Sequence, residues 1–191
     1  MPLFKELRTV STAAIRHIEQ PADSAEPSLH TLATAVLTDF SKQNPLMLEQ
    51  NTSIDEAIEI MNKTHVSMKL VIDGQETFRG LITLDDLLSA KVMKGMEHGR
   101  LRRHELTVAQ VMTPRSELQA IENNVFATAT IGDVLATMKK YGVQHLLVVD
   151  SPRGCVRGLV SASNIARRMH VPIVISERAN SFSDICRAVA C

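Results

Sequence analysis

The sequence predicts a mixed α/β (α+β) fold made of two β-α-β-β-α repeats packed about a pseudo-two-fold axis, with flanking helices. Two observations predict it. The first is an internal repeat. Adding 77 to the residue number maps Ile54 to Ile131, Met61 to Met138, Lys63 to Lys140, Val66 to Val143, Leu70 to Leu147, Val71 to Val148 and Asp73 to Asp150. One extra turn residue then shifts the offset to 78, mapping Arg79-Gly80-Leu81 to Arg157-Gly158-Leu159. Self-similarity of this kind constrains the fold before any single element is considered. Two copies are too few for a solenoid, so two half-domains sharing one core are the simpler solution. The second observation is that each copy ends on the same corner, where an apolar strand gives way to a hydroxyl residue and a helix.

The corners are Arg79-Gly80-Leu81-Ile82-Thr83-Leu84-Asp85-Asp86 and Arg157-Gly158-Leu159-Val160-Ser161-Ala162-Ser163-Asn164. Each places a hydroxyl, Thr83 or Ser161, three residues before Asp86 or Asn164. Exposed N–H groups at a helix start favour anions, so a phosphate-bearing ligand suits such a corner. The same residues also suit a purely structural role, with Thr83 and Ser161 as N-caps and Asp86 and Asn164 at the supporting N3 position.

Composition narrows the function classes. The chain has 191 residues, 45% hydrophobic and 22% charged, which suits one domain or two small, closely packed ones. Lys+Arg and Asp+Glu number 21 each, so no overall field draws the chain to nucleic acid or anionic lipid. There is no Trp and one Tyr, so a bound flat ring would be gripped by aliphatic side chains. Cys155, Cys186 and Cys191 have no CxxC spacing and fit a reducing compartment. No apolar run reaches the roughly 18 residues that span a bilayer. Lys5, Glu6 and Arg8 break up any signal-peptide core. A cytoplasmic protein without a membrane span is the expectation.

Taken in order, Phe4 to Ile18 places Phe4, Leu7, Ala14, Ile15 and Ile18 near helical spacing and predicts an amphipathic helix, followed by a linker from Gln20 to Pro27. Ser28 to Ala35 predicts a short helix leading into Val36 to Phe40, and Pro45 to Leu48 an extended piece. Ser53 with Glu56 is a capping-box pattern for a helix to about Thr64. Lys69 to Ile72 and Phe78 to Ile82 predict strands around an Asp73-Gly74 turn, and Thr83 caps a helix from Leu84 to Met93. Lys91, Lys94, Arg100, Arg102 and Arg103 punctuate a basic connector. It has no interleaved aromatic side chain to stack on bases, so nucleic acid is not the expected partner. His98 and His104, with Glu97 and Glu105, match no compact metal-ligand spacing. The pattern then restarts. Thr107 to Pro114 predicts a short capped helix ended by proline, and Leu118 to Ile121 an extended piece. Thr130 with Asp133 caps a helix through Tyr141. Strands follow at His145 to Val149 and Cys155 to Val160, around a Ser151 to Gly154 turn, and then a helix from Ser163 to Met169. Beyond Pro172, Ile173 to Ile175 predicts a short strand, and Phe182, Ile185, Ala188 and Val189 a short amphipathic helix. No nucleophile–base constellation emerges, so an enzyme is not expected.

The ordered set Val111-Met112-Thr113-Pro114, Val148-Val149-Asp150 and Gly158-Leu159-Val160-Ser161-Ala162-Ser163-Asn164 resembles the CBS domain, and the pair resembles a Bateman module. The likeness covers roughly residues 35–172. It divides the chain into an N-terminal helix and linker (1–34), a first CBS repeat (35–94), the basic connector (95–106), a second CBS repeat (107–172) and a C-terminal tail (173–191). Val111-Met112-Thr113-Pro114-Arg115 is also similar to the cytoplasmic CBS pairs of magnesium/cobalt-efflux-associated membrane proteins. The resemblance implies a regulatory protein with no obligatory cofactor. It would bind an adenine nucleotide (AMP, ADP or ATP, or S-adenosylmethionine) between the repeats, dimerise with itself and signal to a protein partner. The rival is a dimerisation or interaction module that needs no ligand. Residue by residue, the family's ribose-contacting acid falls on Asp86, and in the second repeat on Asn164, an amide with a single acceptor oxygen. The hydroxyl positions fall on Thr83 and Ser161, and Thr113 stands just before Pro114 and Arg115. Arg115, His145 and Arg168 are the candidates for phosphate, with Lys69 for the first repeat, and Val111, Leu118, Ile121 and Ile82 for the adenine. The Asp86 corner is the first choice for ribose.

Overall fold

The computed structural model describes residues 7–18, 27–99, 102–173 and 175. The first half runs β1 (Thr38–Asp39), β2 (Met47–Glu49), α1 (Ile54–Lys63), β3 (Met68–Ile72), β4 (Phe78–Thr83), α2 (Leu84–Leu88) and α3 (Ala90–Gly99). The second runs β5 (Thr113–Pro114), β6 (Ala120–Glu122), α4 (Asn123–Phe126), α5 (Ile131–Tyr141), β7 (His145–Asp150), β8 (Cys155–Ser161) and α6 (Ala162–Met169). These strands form two four-stranded sheets, ordered β2-β3-β4-β5 and β1-β8-β7-β6. Within each, a parallel strand pair adjoins an antiparallel hairpin: β2 lies beside β3 and β4, and β6 beside β7 and β8.

The central strands are buried on both faces, which is why they read as continuous apolar runs. Successive side chains point to opposite faces. On one face, Val71 and Ile82 join Ile54, Met61, Leu87 and Val92 in the core of the first half. Val148 and Val160 join Phe126, Ile131, Met138 and Ile165 in the core of the second. On the other face, Leu70, Leu81, Leu147 and Leu159 make a third cluster between the two sheets. Each of these leucines is 5% exposed or less. Burying each one stabilises by about 1.5–3 kcal/mol. Their register is internally consistent, with Leu70 opposite Leu81 and Leu147 opposite Leu159.

The two halves also exchange strands. β1 lies at the start of the first repeat but pairs with β8, placing Thr38 opposite Leu159. β5 lies near the start of the second but pairs with β4, placing Thr113 opposite Leu81. Pro114 is tolerated because β5 is an edge strand, where a missing N–H breaks no ladder. The chain before each crossing strand is tied to the same half. Ala33 N–H donates to Ala129 O at 2.8 Å and Ile131 N–H to Thr31 O at 2.9 Å. Val108 N–H donates to Thr52 O at 2.9 Å and Ile54 N–H to Leu106 O at 3.2 Å. Glycine makes the close approach possible. A Cβ on Gly80 would lie 2.3 Å from Thr113 O, and one on Gly158 2.6 Å from Thr38 O.

Several local expectations change. Residues 7–18 contain no helix, and Leu7, Val10, Ile15 and Ile18 are 67–91% exposed. Thr9, Val10, Ser11 and Thr12 are weak helix formers, and a short helix with nothing to pack on is marginal. Ser28 to Ala35 supplies only a 3₁₀ turn at Ala33–Val36. The helix after Thr83 breaks at Ser89, whose ψ of 178° is extended. It restarts as α3, with Ser89 Oγ accepting from Lys91 N–H at 3.1 Å. α3 therefore carries the start of the basic connector to Gly99 as ordered helix. The helix predicted after Thr107 is a 3₁₀ turn at Val108–Gln110. The turn α4 has no forecast in the sequence. Ile173 and Ile175 are not in a strand, although Ile175 is buried in the second core. The helix predicted from Phe182 lies outside the described residues.

Gly80→Ala and Gly158→Ala are each expected to unseat a crossing strand and cost about 1–3 kcal/mol, the usual penalty for overpacking. Urea unfolding of the two variants checks this; wild-type midpoints for both would remove the close approach from the fold's requirements.

Candidate functional site

A cleft of about 780 Å³ opens where the second corner meets the first half. One wall is the end of β8 and the start of α6, with Ser161, Ser163, Asn164, Arg167 and Arg168. The crossing segment supplies Thr34, Leu37, Thr38, Asp39 and Phe40. The start of β3 closes the far side with Val66, Ser67 and Met68. Both halves thus contribute.

Ser161 caps α6 by accepting from Asn164 N–H at 3.1 Å. The Asn164 amide spends its donor elsewhere, with Nδ2 on Val36 O at 3.1 Å. Arg168 Nη1 donates to the neighbouring carbonyl, Ala35 O, at 2.7 Å. Two α6 side chains therefore hold the backbone that leads into β1. Lys42, Arg157, Arg167 and Arg168 line the cleft against one carboxylate, Asp39, so its field is positive. The Ser41 hydroxyl (2.7 Å) and N–H (2.9 Å) hold the Asp39 carboxyl below its ordinary value, helped by Arg157 at 3.6 Å and Lys42 at 3.9 Å. Asp39 stays ionised and partly offsets two of the four cations.

The first corner has the same capping geometry and different surroundings. Thr83 Oγ1 accepts from Asp86 N–H at 3.0 Å, and Asp86 Oδ2 accepts from Thr83 N–H at 3.0 Å and its hydroxyl at 2.8 Å. The other oxygen, Oδ1, takes the Lys91 ammonium at 2.5 Å. Lys91 Nζ also reaches Thr113 Oγ1 at 3.3 Å. Beyond it lies a smaller cavity of about 370 Å³, lined by Lys91, Lys94, His98, Gln110 to Pro114 and Glu117.

The eight site residues expected from the sequence thus fall into three groups. Ser161, Asn164, Arg168 and His145 share the large cleft, and Thr83, Asp86 and Thr113 surround Lys91. Arg115 is exposed just after β5 and lines neither cavity. Lys69 is buried, 6% exposed, on β3. Of the residues proposed around an adenine, Val111 and Ile82 are buried in the first core, and Leu118 and Ile121 pack against other clusters. The apolar lining of the cleft is instead Leu37, Leu46, Val66, Met68, Leu70 and Leu159, with the aromatic Phe40. Sequence reasoning missed Asp39, Lys42, Arg157 and Arg167. For Arg157 a signal existed, its identity with Arg79 in the repeat; for Asp39 none did, because β1 is two residues long and only the fold pairs it with β8. Among the described residues, no group of three or more His, Cys, Asp or Glu is placed to hold a metal. No described helix is long and apolar enough to cross a membrane.

His145 lies opposite Ser161 in the β7–β8 register and lines the cleft. Burial pushes its imidazole below the ordinary value of 6.5, and the carboxylates of Asp86 and Asp85 pull only partly the other way. The native state thus favours the neutral ring. Below 6.5 the unfolded chain binds the proton first, so this stability is present above that pH and is lost as pH falls toward the lowered native value. His145→Gln is expected to flatten that part of the pH–stability curve, measured by urea unfolding between pH 8 and 5. An unchanged slope would show that His145 does not set it.

Comparison with known proteins agrees with this geometry. The CBS domain family matches residues 37–92 and 108–171. Inosine-5'-monophosphate dehydrogenase of Aquifex aeolicus (strain VF5) is 26% identical over 129 residues, 68% of this chain; the chain spans only 23% of that relative's length. Among solved structures, CBSX2 in complex with AMP superposes with a TM-score of 0.53 at 23% identity, over 72% of this chain and 94% of that one. The CBS domain pair of MJ0100, in complex with 5-methylthioadenosine and S-adenosyl-L-methionine, gives 0.51 at 24% identity, over 72% and 94%. The CBS domain of the bacterial CNNM/CorC family Mg2+ transporter gives 0.52 at 17% identity, over 76% and 79%. The two matched repeats, the paired sheets and the exchanged strands together make this chain a tandem CBS-domain protein of the Bateman type, a member of the CBS domain family.

Proposed function

We propose that this chain is a regulatory module, not an enzyme, that binds an adenine nucleotide (AMP, ADP or ATP) in the large cleft and transmits the bound state through a second copy or a protein partner. One observation carries it: the cleft is concave, walled by both repeats, partly apolar and positively charged. A nucleotide needs that combination, an apolar surface for the base and cations for the phosphates. The AMP and adenosyl complexes of similar folds support the choice of ligand class. Ser161 and the Oδ1 of Asn164 are the proposed ribose contacts. Arg167 and Arg168, with His145 at the opposite wall, are the proposed phosphate contacts. Signalling needs the ligand to prefer one arrangement of the repeats over another. A ligand touching both walls can have such a preference. We place the protein in the cytoplasm, a reducing setting in which the exposed Cys155 remains a thiol.

A second reading rests on Asn164 and Arg168. Both already hold the backbone of Val36 and Ala35. In a ligand-independent interaction module that would be their whole task.

Thermal unfolding in the presence of AMP, ADP, ATP or S-adenosylmethionine, with GTP as control, separates the two. A ligand at about 100 times its Kd adds about 2.7 kcal/mol. For a chain of this size that raises Tm by about 5–10 °C. Arg167→Ala is expected to weaken binding about tenfold, with little effect on the Tm of the free protein, because the residue is exposed. No shift with any of the four ligands would favour the interaction module.

A further inference from the structure

The repeat writes the same corner twice, but only one is open. Thr83 and Asp86 occupy the positions of Ser161 and Asn164, yet neither lines the large cleft. Both Asp86 oxygens are engaged, Oδ2 by the N–H and hydroxyl of Thr83 and Oδ1 by the Lys91 ammonium. The Lys91 ammonium bridges Asp86 to Thr113 Oγ1. It thus joins the start of α2 to the crossing strand β5, the two elements whose counterparts, α6 and β1, wall the open cleft. The offset of 78 that aligns the corners carries Lys91 to Met169, which has no charge and packs partly buried against the second core. Lys91 is therefore a difference of chemistry between the corners as well as of shape. α3 enforces it: after the break at Ser89 this helix runs alongside Gln110 to Pro114, and Lys91, Lys94 and His98 face the smaller cavity.

We infer that Lys91 is a tethered cation that closes the first corner, so that the chain binds one nucleotide rather than two. This rests on the proposed nucleotide site in the large cleft and adds the occupancy of its pseudo-symmetric twin. The physical ground is competition for one oxygen. A ribose hydroxyl brings no charge of its own to Asp86 Oδ1, whereas the ammonium brings a full positive one, so the lysine contact adds a Coulombic attraction to the hydrogen bond. The ammonium is also covalently attached, so its effective concentration far exceeds that of a free ligand. Removing it frees Asp86 Oδ1 for the hydroxyls and leaves Lys94 and His98, with the carboxylate of Glu117, lining the cavity.

Isothermal titration with AMP, and in parallel with ATP, tests this on the full chain. Wild type is expected to bind one nucleotide per chain. Lys91→Met is expected to retain that site and gain a second, weaker one, for two per chain. Lys91→Arg keeps the cation and should restore one. Circular dichroism and Tm of each variant verify folding, and Lys91→Gln serves if the Met variant is unstable. Two sites in wild type, or one in both the Met and Gln variants, would overturn the role of Lys91 while leaving the nucleotide reading standing. No binding by wild type or any variant would instead sink the nucleotide reading and this inference with it.

Discussion

Four leucines hold the two halves together, and the rest of the architecture follows from them. Leu70, Leu81, Leu147 and Leu159 come from the central strands of both sheets and meet on the faces turned away from the helices. Side chains alternate along a strand, so putting Leu81 in this seam puts Ile82 in the first core, and putting Leu159 there puts Val160 in the second. A slip of one residue would expose both sets at once, so the register is strongly specified. Thr83 and Ser161 lie two residues beyond Leu81 and Leu159. The seam thereby sets where both corners stand.

Strand exchange turns this contact into an interlock. β1 and β5 each leave their own repeat to close the other's sheet, and the segments before them hydrogen-bond to the same half. The exchange also builds the cleft. Asp39 and Phe40 reach the second corner on the crossing segment, and Met68 and Val66 face it from the first half. Because its walls belong to different repeats, the cleft changes shape with the angle of the seam. In the proposed function, binding and inter-repeat geometry would then share one equilibrium, which is the physical requirement for a switch.

The two corners show how a duplicated motif acquires unequal surroundings without losing its backbone. Both begin a helix with a hydroxyl that accepts the N–H three residues on. What differs is the third partner. In the first, the carboxylate of Asp86 attracts a lysine and becomes part of an ion-paired corner. In the second, the uncharged Asn164 cannot, and its amide donates to the backbone of the crossing segment instead. The cations there belong to α6, Lys42 and Arg157; they line the cleft, and the carboxylate that Lys42 and Arg157 meet is Asp39 of the crossing segment rather than one of the corner itself.

Much was legible in the sequence, for a local reason. The caps at Ser53, Thr83 and Thr130, the hairpins and the corners are written within a few residues of themselves, and the repeat checks one copy against the other. The expected amphipathic helix failed over residues 7–18 because periodicity alone supplies no surface to pack against. By itself the sequence determined the two repeats, their order of elements and the positions of Thr83, Asp86, Ser161 and Asn164. The tertiary structure alone decided which corner is open. β1 and β5 are two residues long and carry no period that names a partner, and Lys91 meets Thr113 from 22 positions away, across a helix break that only packing explains. First choice on the page of the sequence fell on Asp86, because a carboxylate is the better acceptor; in the fold, that same quality brings Lys91 to it.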